Sequence, residues 1–130
     1  MKVLQTVVVK QVLTETSKER LLNKYGTKKQ QLQKESEQLK FEWKKQEKSK
    51  KLPPEILKRQ FENEIRLRGE KIKLLEFHIE QLHILPLGSE LKESELQALV
   101  EINEGDLWDD FLAEKTVVVK DGVVVEIRER

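Results

Sequence analysis

The 130-residue chain is predicted to be an α+β protein in which a long antiparallel coiled-coil helical hairpin is inserted into a small antiparallel β-sheet or open barrel. Three observations lead there. A charged, helix-favouring stretch of Lys, Glu, Gln and Leu fills the middle of the chain and is broken once, at Leu52-Pro53-Pro54. Apolar positions on either side of that break follow a 3-4 spacing. β-Branched residues gather at the two ends of the chain, in Val7-Val8-Val9 and again after Gly88.

Met1 to Leu13 reads as a strand, so residues 1–14 supply the first strand of the β module. Thr14-Glu15-Thr16-Ser17 then offers N-cap residues. A first helix runs from about Ser17 to Lys51, with Gly26 its one weak point, and a second opens at Pro54 and Glu55 and continues to about Leu85. At ~1.5 Å per residue each rod is roughly 50 Å long, too long for a compact globule of this size. Residues 15–85 are therefore read as an antiparallel hairpin that turns near 51–54.

The register of that hairpin follows from arithmetic. The spacing selects Leu22, Tyr25, Lys29, Leu32, Ser36, Leu39 and Trp43 on the first helix. On the second it selects Phe61, Ile65, Arg68, Ile72, Leu75, Ile79 and Leu82. Paired head to tail, the members of each layer have residue numbers that add to 104, from Trp43 with Phe61 to Leu22 with Leu82. Two layers are polar: Ser36 faces Arg68 and fixes register, and Lys29 lays its methylenes over Leu75 while its ammonium stays wet.

Pro86-Leu87-Gly88-Ser89 marks the return to β structure, and residues 89–130 form the rest of the β module. Leu96, Ala98, Val100 and Ile102 alternate with a more polar set, as in a half-buried strand. Asp106 is expected to N-cap a short helix over Leu107–Leu112. Asp121-Gly122, flanked by Thr116–Lys120 and Val123–Arg128, signals a type I′ hairpin.

The ending from Glu114 to Ile127, with Gly105-Asp106-Leu107-Trp108-Asp109 before it, resembles the YlqD family of small bacterial proteins, as does the order of strand, charged helical region and terminal hairpin. The resemblance implies no catalytic residues. Members tend to be encoded beside ribosome-maturation and RNA-modification proteins, which implies an RNA-linked role by association only.

Composition narrows the function further. With no cysteine there is no disulfide framework, thiolate metal site or cysteine nucleophile. No apolar run approaches the ~20 residues of a membrane span, and no signal-peptide pattern opens the chain, so it reads as cytoplasmic. His78 and His83 stand five residues apart, about 140° around a helix, which does not suit one metal ion. Asp109 and Asp110 fit the favourable first turn of the short helix better than an acid–base pair. There is no Gly-rich phosphate loop and no nucleophile elbow. The expectation is a protein that is not an enzyme and uses no cofactor, metal or small-molecule substrate.

Two features point to partners. A net charge of +1 conceals +8 over residues 1–85 and −7 over residues 86–130. At the bend, Lys44, Lys45, Lys48, Lys50 and Lys51 belong to a window, residues 40–59, with 8 basic and 3 acidic side chains. Such a cluster suits contact with structured, for instance ribosomal, RNA. On the second helix Leu67, Leu74, Phe77 and Ile84 form a stripe opposite the seam, which a second copy in a homodimer, or the β module folding back, would cover. Attraction between basic arm and acidic module is screened beyond about 8 Å. The leading expectation is a non-enzymatic interaction or scaffold protein, a basic coiled-coil arm carried by a self-associating β module. The alternatives are an RNA- or ribosome-associated protein and a chaperone-like clamp using Phe41, Ile56 and Leu57.

Overall fold

The computed structural model describes residues 1–129. In chain order its elements are β1 (Lys2–Val12), α1 (Glu15–Ser49), α2 (Pro54–Ile84), β2 (Glu90–Glu101), α3 (Trp108–Leu112), β3 (Lys115–Lys120) and β4 (Val123–Arg128). They fall into two units: Met1–Lys18 with Leu85–Arg130, and Glu19–Ile84. The α+β class stands, with two long helices between the first strand and the other three.

In the helical unit the two rods run antiparallel in the expected register. Trp43 stacks on Phe61 with ring centroids 6.0 Å apart and planes 2° from parallel, the layer next to the bend. Tyr25 reaches the far end of α2 and stacks on His78 at 5.8 Å, one residue from its expected neighbour Ile79. All fourteen seam positions selected from the sequence are buried or half-buried, Leu32 and Leu82 most deeply. The seam also extends one turn further than expected. Leu57 is 2% exposed, and Gln46 in the last turns of α1 is half-buried.

Both polar layers are closed differently from the expectation. Arg68 does not rest on Ser36 but passes to Glu35 beside it, Nε to Oε2 at 3.2 Å, while Nη1 reaches Glu64 at 2.7 Å. Lys29 sends its ammonium to Glu76, 3.3 Å away, and not simply to water. A carboxylate at a flanking position is within reach of each long cation, and a charge-assisted bond is stronger than contact with a hydroxyl.

Helix boundaries follow from local chemistry. Thr14 caps α1: its Oγ1 accepts from the Ser17 amide at 3.1 Å while its own amide donates to Ser17 Oγ at 2.8 Å, a reciprocal capping box with Ser in the usual Glu position. The Thr14 hydroxyl also donates to Asp121 Oδ1 at 2.7 Å. Lys50, at φ +51°, ends α1 in the left-handed region. The Pro53 carbonyl then accepts from the amides of Ile56 and Leu57 and opens α2.

The β unit departs from the sequence reading in one important respect. Its four strands lie in the order β2-β1-β3-β4, and β1 pairs with β3 in parallel, Val7 opposite Lys115 through Gln11 opposite Val119. The sheet is therefore mixed, where an all-antiparallel one was expected. β1 and β2 are antiparallel from Lys2–Glu101 to Val12–Glu90, so β2 ends beside the start of β1. To return to the other side of β1, the chain crosses over it through α3, which delivers β3 parallel to β1. Gln5 on β1 secures the crossover, its Nε2 donating to the Phe111 carbonyl at 2.5 Å.

The order is open, with β2 and β4 at the edges, yet the sheet curls. Arg128 at the end of β4 pairs with Glu90 at the start of β2, Nη1 to Oε2 at 2.8 Å. Across four flat strands with that register the two Cα atoms would be roughly 19 Å apart, beyond the ~15 Å that the two extended side chains span. The curl passes over Thr116 and Val118, both buried, and irregularities at Val9/Lys10 and Val118/Val119 assist it.

At the terminal hairpin Asp121 (φ +47°) and Gly122 (φ +81°) adopt the two positive angles of a type I′ turn, as expected. Asp106 does not cap α3. Its Oδ2 accepts from the Asn103 amide at 2.8 Å and its amide donates to the Asn103 carbonyl, closing a tight turn through Gly105 (φ +98°), while Leu107 occupies the N-cap position without a side-chain bond. An aspartate three residues after an amide satisfies that turn more directly than a helix of five residues.

Candidate functional site: the basic end and the outer face of the hairpin

The helical hairpin concentrates unpaired positive charge at its bend. Lys44, Lys45 and Lys48 project from the last turns of α1, Lys50 occupies its left-handed end, Lys51 follows, and all five are exposed. Farther along the hairpin, Lys29, Arg66 and Arg68 are each within an ion pair of a carboxylate. Among the described residues no cation between Lys40 and Arg59 is so paired. Glu42, one of the three acids nearby, accepts instead from Gln46 Nε2 at 3.2 Å. The end of the hairpin therefore keeps its excess charge available to a partner.

Around those lysines the surface is grooved. Lys50, Lys51 and Glu47 border a shallow depression of about 690 Å³ floored by Leu52, Pro53, Pro54 and Leu57. A second groove of about 660 Å³ runs between the helices past Lys40, Lys44, Trp43 and Arg66. Of the three residues named for a chaperone-like grip, Phe41 and Ile56 are exposed, but Leu57 is enclosed in the seam. Of those three, Phe41 and Ile56 remain accessible.

The outer stripe of α2 is present as read. Leu67, Leu74, Phe77 and Ile84 are all exposed, with Ile84 at 68%. Phe77 lies tilted against His78, ring centroids 5.9 Å apart, and His78 in turn stacks on Tyr25, so rings run from the seam around to the outer face. His83 sits in the last turn of α2.

Elsewhere, Asp109 and Asp110 occupy the first turn of α3. Among the described residues no group of three or more His, Asp or Glu side chains converges as a metal site requires. No helix among them is long and apolar enough to cross a membrane. The sequence reading missed the Arg128 cluster, in which Nε donates to Glu126 Oε1 at 3.0 Å while the guanidinium also holds Glu90. These hydrogen bonds hold both carboxyls below their usual range and raise the guanidinium further. Alternation in β4 could have flagged Glu126 and Arg128 as one face, but nothing local marks Glu90 as their partner.

The comparisons agree with this architecture. The family model described as "YlqD protein" matches residues 1–128. The chain belongs to the YlqD family. It is 48% identical over 130 residues to "Uncharacterized protein YlqD" of Bacillus subtilis (strain 168), covering all of both chains. A crystal structure of a protein of unknown function from Synechococcus sp. WH 8102 is similar in fold, with a TM-score of 0.81 and 19% identity, over 98% of this chain and 94% of that one. That likeness extends to the fold alone.

Proposed function

We propose that the protein is a non-enzymatic interaction protein whose helical hairpin offers a basic end to an anionic partner. The observation that carries this reading is the excess of charge at one end of the hairpin: residues 40–59 hold 8 basic and 3 acidic side chains, and among the described residues none of those cations is in an ion pair, whereas Lys29, Arg66 and Arg68 farther along each have a carboxylate partner. Exposed lysines on flexible stems suit a surface of many negative charges better than a single small anion, since each ammonium acts as a mobile point charge. The β unit would provide the attachment from which the arm works.

Structured RNA is the second reading, and the same lysines favour it. Phosphate contacts need cations and no base-reading set, and the end of the hairpin carries no stacking aromatic besides the exposed Phe41. A chaperone-like clamp has less support, because Leu57 is enclosed.

Affinity capture of the tagged full chain from lysate, with and without nuclease, separates the two. An RNA partner is lost on nuclease treatment, and binding of labelled ribosomal RNA falls as salt rises with a slope of about −0.7 to −0.9 per phosphate contacted. An acidic protein partner survives nuclease. In either case Lys44, Lys45, Lys48, Lys50 and Lys51→Glu abolishes capture. Undiminished binding by that variant would remove the basic end from the account.

A further inference from the structure

We propose that the outer face of α2 is a two-fold, antiparallel docking surface for α2 of a second copy of this chain, with Leu67 against Ile84 and Leu74 against Phe77 of the partner. The inference stands on the apolar stripe and is independent of the basic end. Four large apolar side chains on one side of a single helix, all exposed, extend over eighteen residues, a rise of about 25 Å. That is a continuous seam and not scattered surface leucines.

The choice of a second copy comes from self-complementarity. Leu67 with Ile84 and Leu74 with Phe77 have residue numbers that add to the same value, 151. A two-fold axis crossing the outer face at the height of residues 75–76, midway along the stripe, therefore superposes the stripe on itself, the defining property of an isologous interface. The polar position inside the stripe obeys the same relation. Glu70 meets Gln81 of the partner, and Glu70 is already oriented by Arg66 Nη1 at 2.8 Å, leaving a carboxylate oxygen for the amide.

Charge selects the direction. On a helix turning ~100° per residue, Lys73 and Glu80 lie along one border of the stripe, so the antiparallel arrangement sets each Lys73 beside the partner's Glu80. A parallel, in-register arrangement would instead place Glu70 against Glu70 within an apolar seam, where unpaired charge is costly. The helix thus carries two seams on opposite sides, one used within the chain and one between copies.

Light scattering on the full chain and on Leu74→Glu/Phe77→Glu tests the surface. The expected result is twice the chain mass for wild type and a single mass for the variant, with unchanged helicity because both positions are exposed. The register is tested without introducing charge. The chain has no cysteine, so Leu67→Cys and Ile84→Cys proteins can be mixed and oxidised. A disulfide-linked dimer should form in the mixture and in neither protein alone. A monomeric wild type, a Leu74→Glu/Phe77→Glu variant that is still folded and dimeric, or cross-linking of either single-cysteine protein with itself would each overturn the proposal.

Discussion

In the helical unit each side chain finds its partner across a hairpin whose register is fixed by one bend, while in the β unit β1 pairs with residues about a hundred positions away. Lys2 opposes Glu101 and Val7 opposes Lys115. The first kind of contact repeats: once Trp43 meets Phe61, every further layer follows from helical geometry. The second is decided by where the chain re-enters, and a single crossover determines whether β3 joins β1 in parallel or antiparallel fashion. Repetition makes the hairpin tolerant of polar layers, since Arg68 and Lys29 each find a carboxylate nearby. The β unit depends on a few individual contacts: Val118, the Asp121-Gly122 turn and the Arg128 cluster.

The largest test of this contrast is in the hairpin. Leu32→Ala removes a side chain only 4% exposed in the middle of the seam, and should cost about 2–5 kcal/mol in chemical denaturation. Hydrogen exchange should localise the loss to α1 and α2, leaving the β1–β3 pairing protected. Equal loss of protection in the strands would show that the two units do not open separately.

What could be read from the sequence divides along the same line. The hairpin was legible because two apolar patterns, found separately, agree on one register, and that agreement leaves little freedom. Leu57 escaped because the spacing on the first helix continues from Trp43 onto the polar Gln46, so no apolar position there called for another layer beside the bend. The parallel pairing of β1 and β3 was not legible, since alternation in Val117–Val119 is compatible with either direction. Asp106 was misread for a related reason: a cap and a turn-closing aspartate look alike until the neighbouring amide is located. The lysine cluster was legible as composition, but that it lacks ion pairs, unlike Lys29 and Arg68, is knowledge only the packed hairpin provides.

A smaller effect probes the dependence of the β unit on single contacts. Gly122→Ala places a Cβ at φ +81°, where nothing crowds it but the backbone itself is unfavourable, and should cost roughly 1–2 kcal/mol. Its exchange signature should be the reverse of that of Leu32→Ala, with protection lost at β3–β4 and retained along the helices. Gly26→Ala is the control: the position is helical and open, so the change should be neutral or slightly stabilising. Were Gly122→Ala as harmless as Gly26→Ala, the turn would not be holding the edge hairpin.

The smallest effect is expected from acid, and it isolates the clasp between the two edges of the sheet. Hydrogen bonds from Arg128 hold the Glu90 and Glu126 carboxyls below their usual range; burial and, for Glu126, the nearby Glu90 charge oppose this. A carboxyl lowered by folding contributes stability that is complete above its unfolded value, about 4.3, and is lost as pH falls through its folded value. Arg128 itself stays charged throughout, so only the two glutamates titrate. The melting temperature of wild type should therefore exceed that of Arg128→Gln by a constant margin from pH 7 to about 5, and the margin should shrink below about pH 4. Because the cluster is partly solvated, molar salt should narrow the margin at neutral pH as well. A margin that persists unchanged to pH 3 would mean that Arg128 stabilises the curled sheet otherwise than through the ion pair with Glu90.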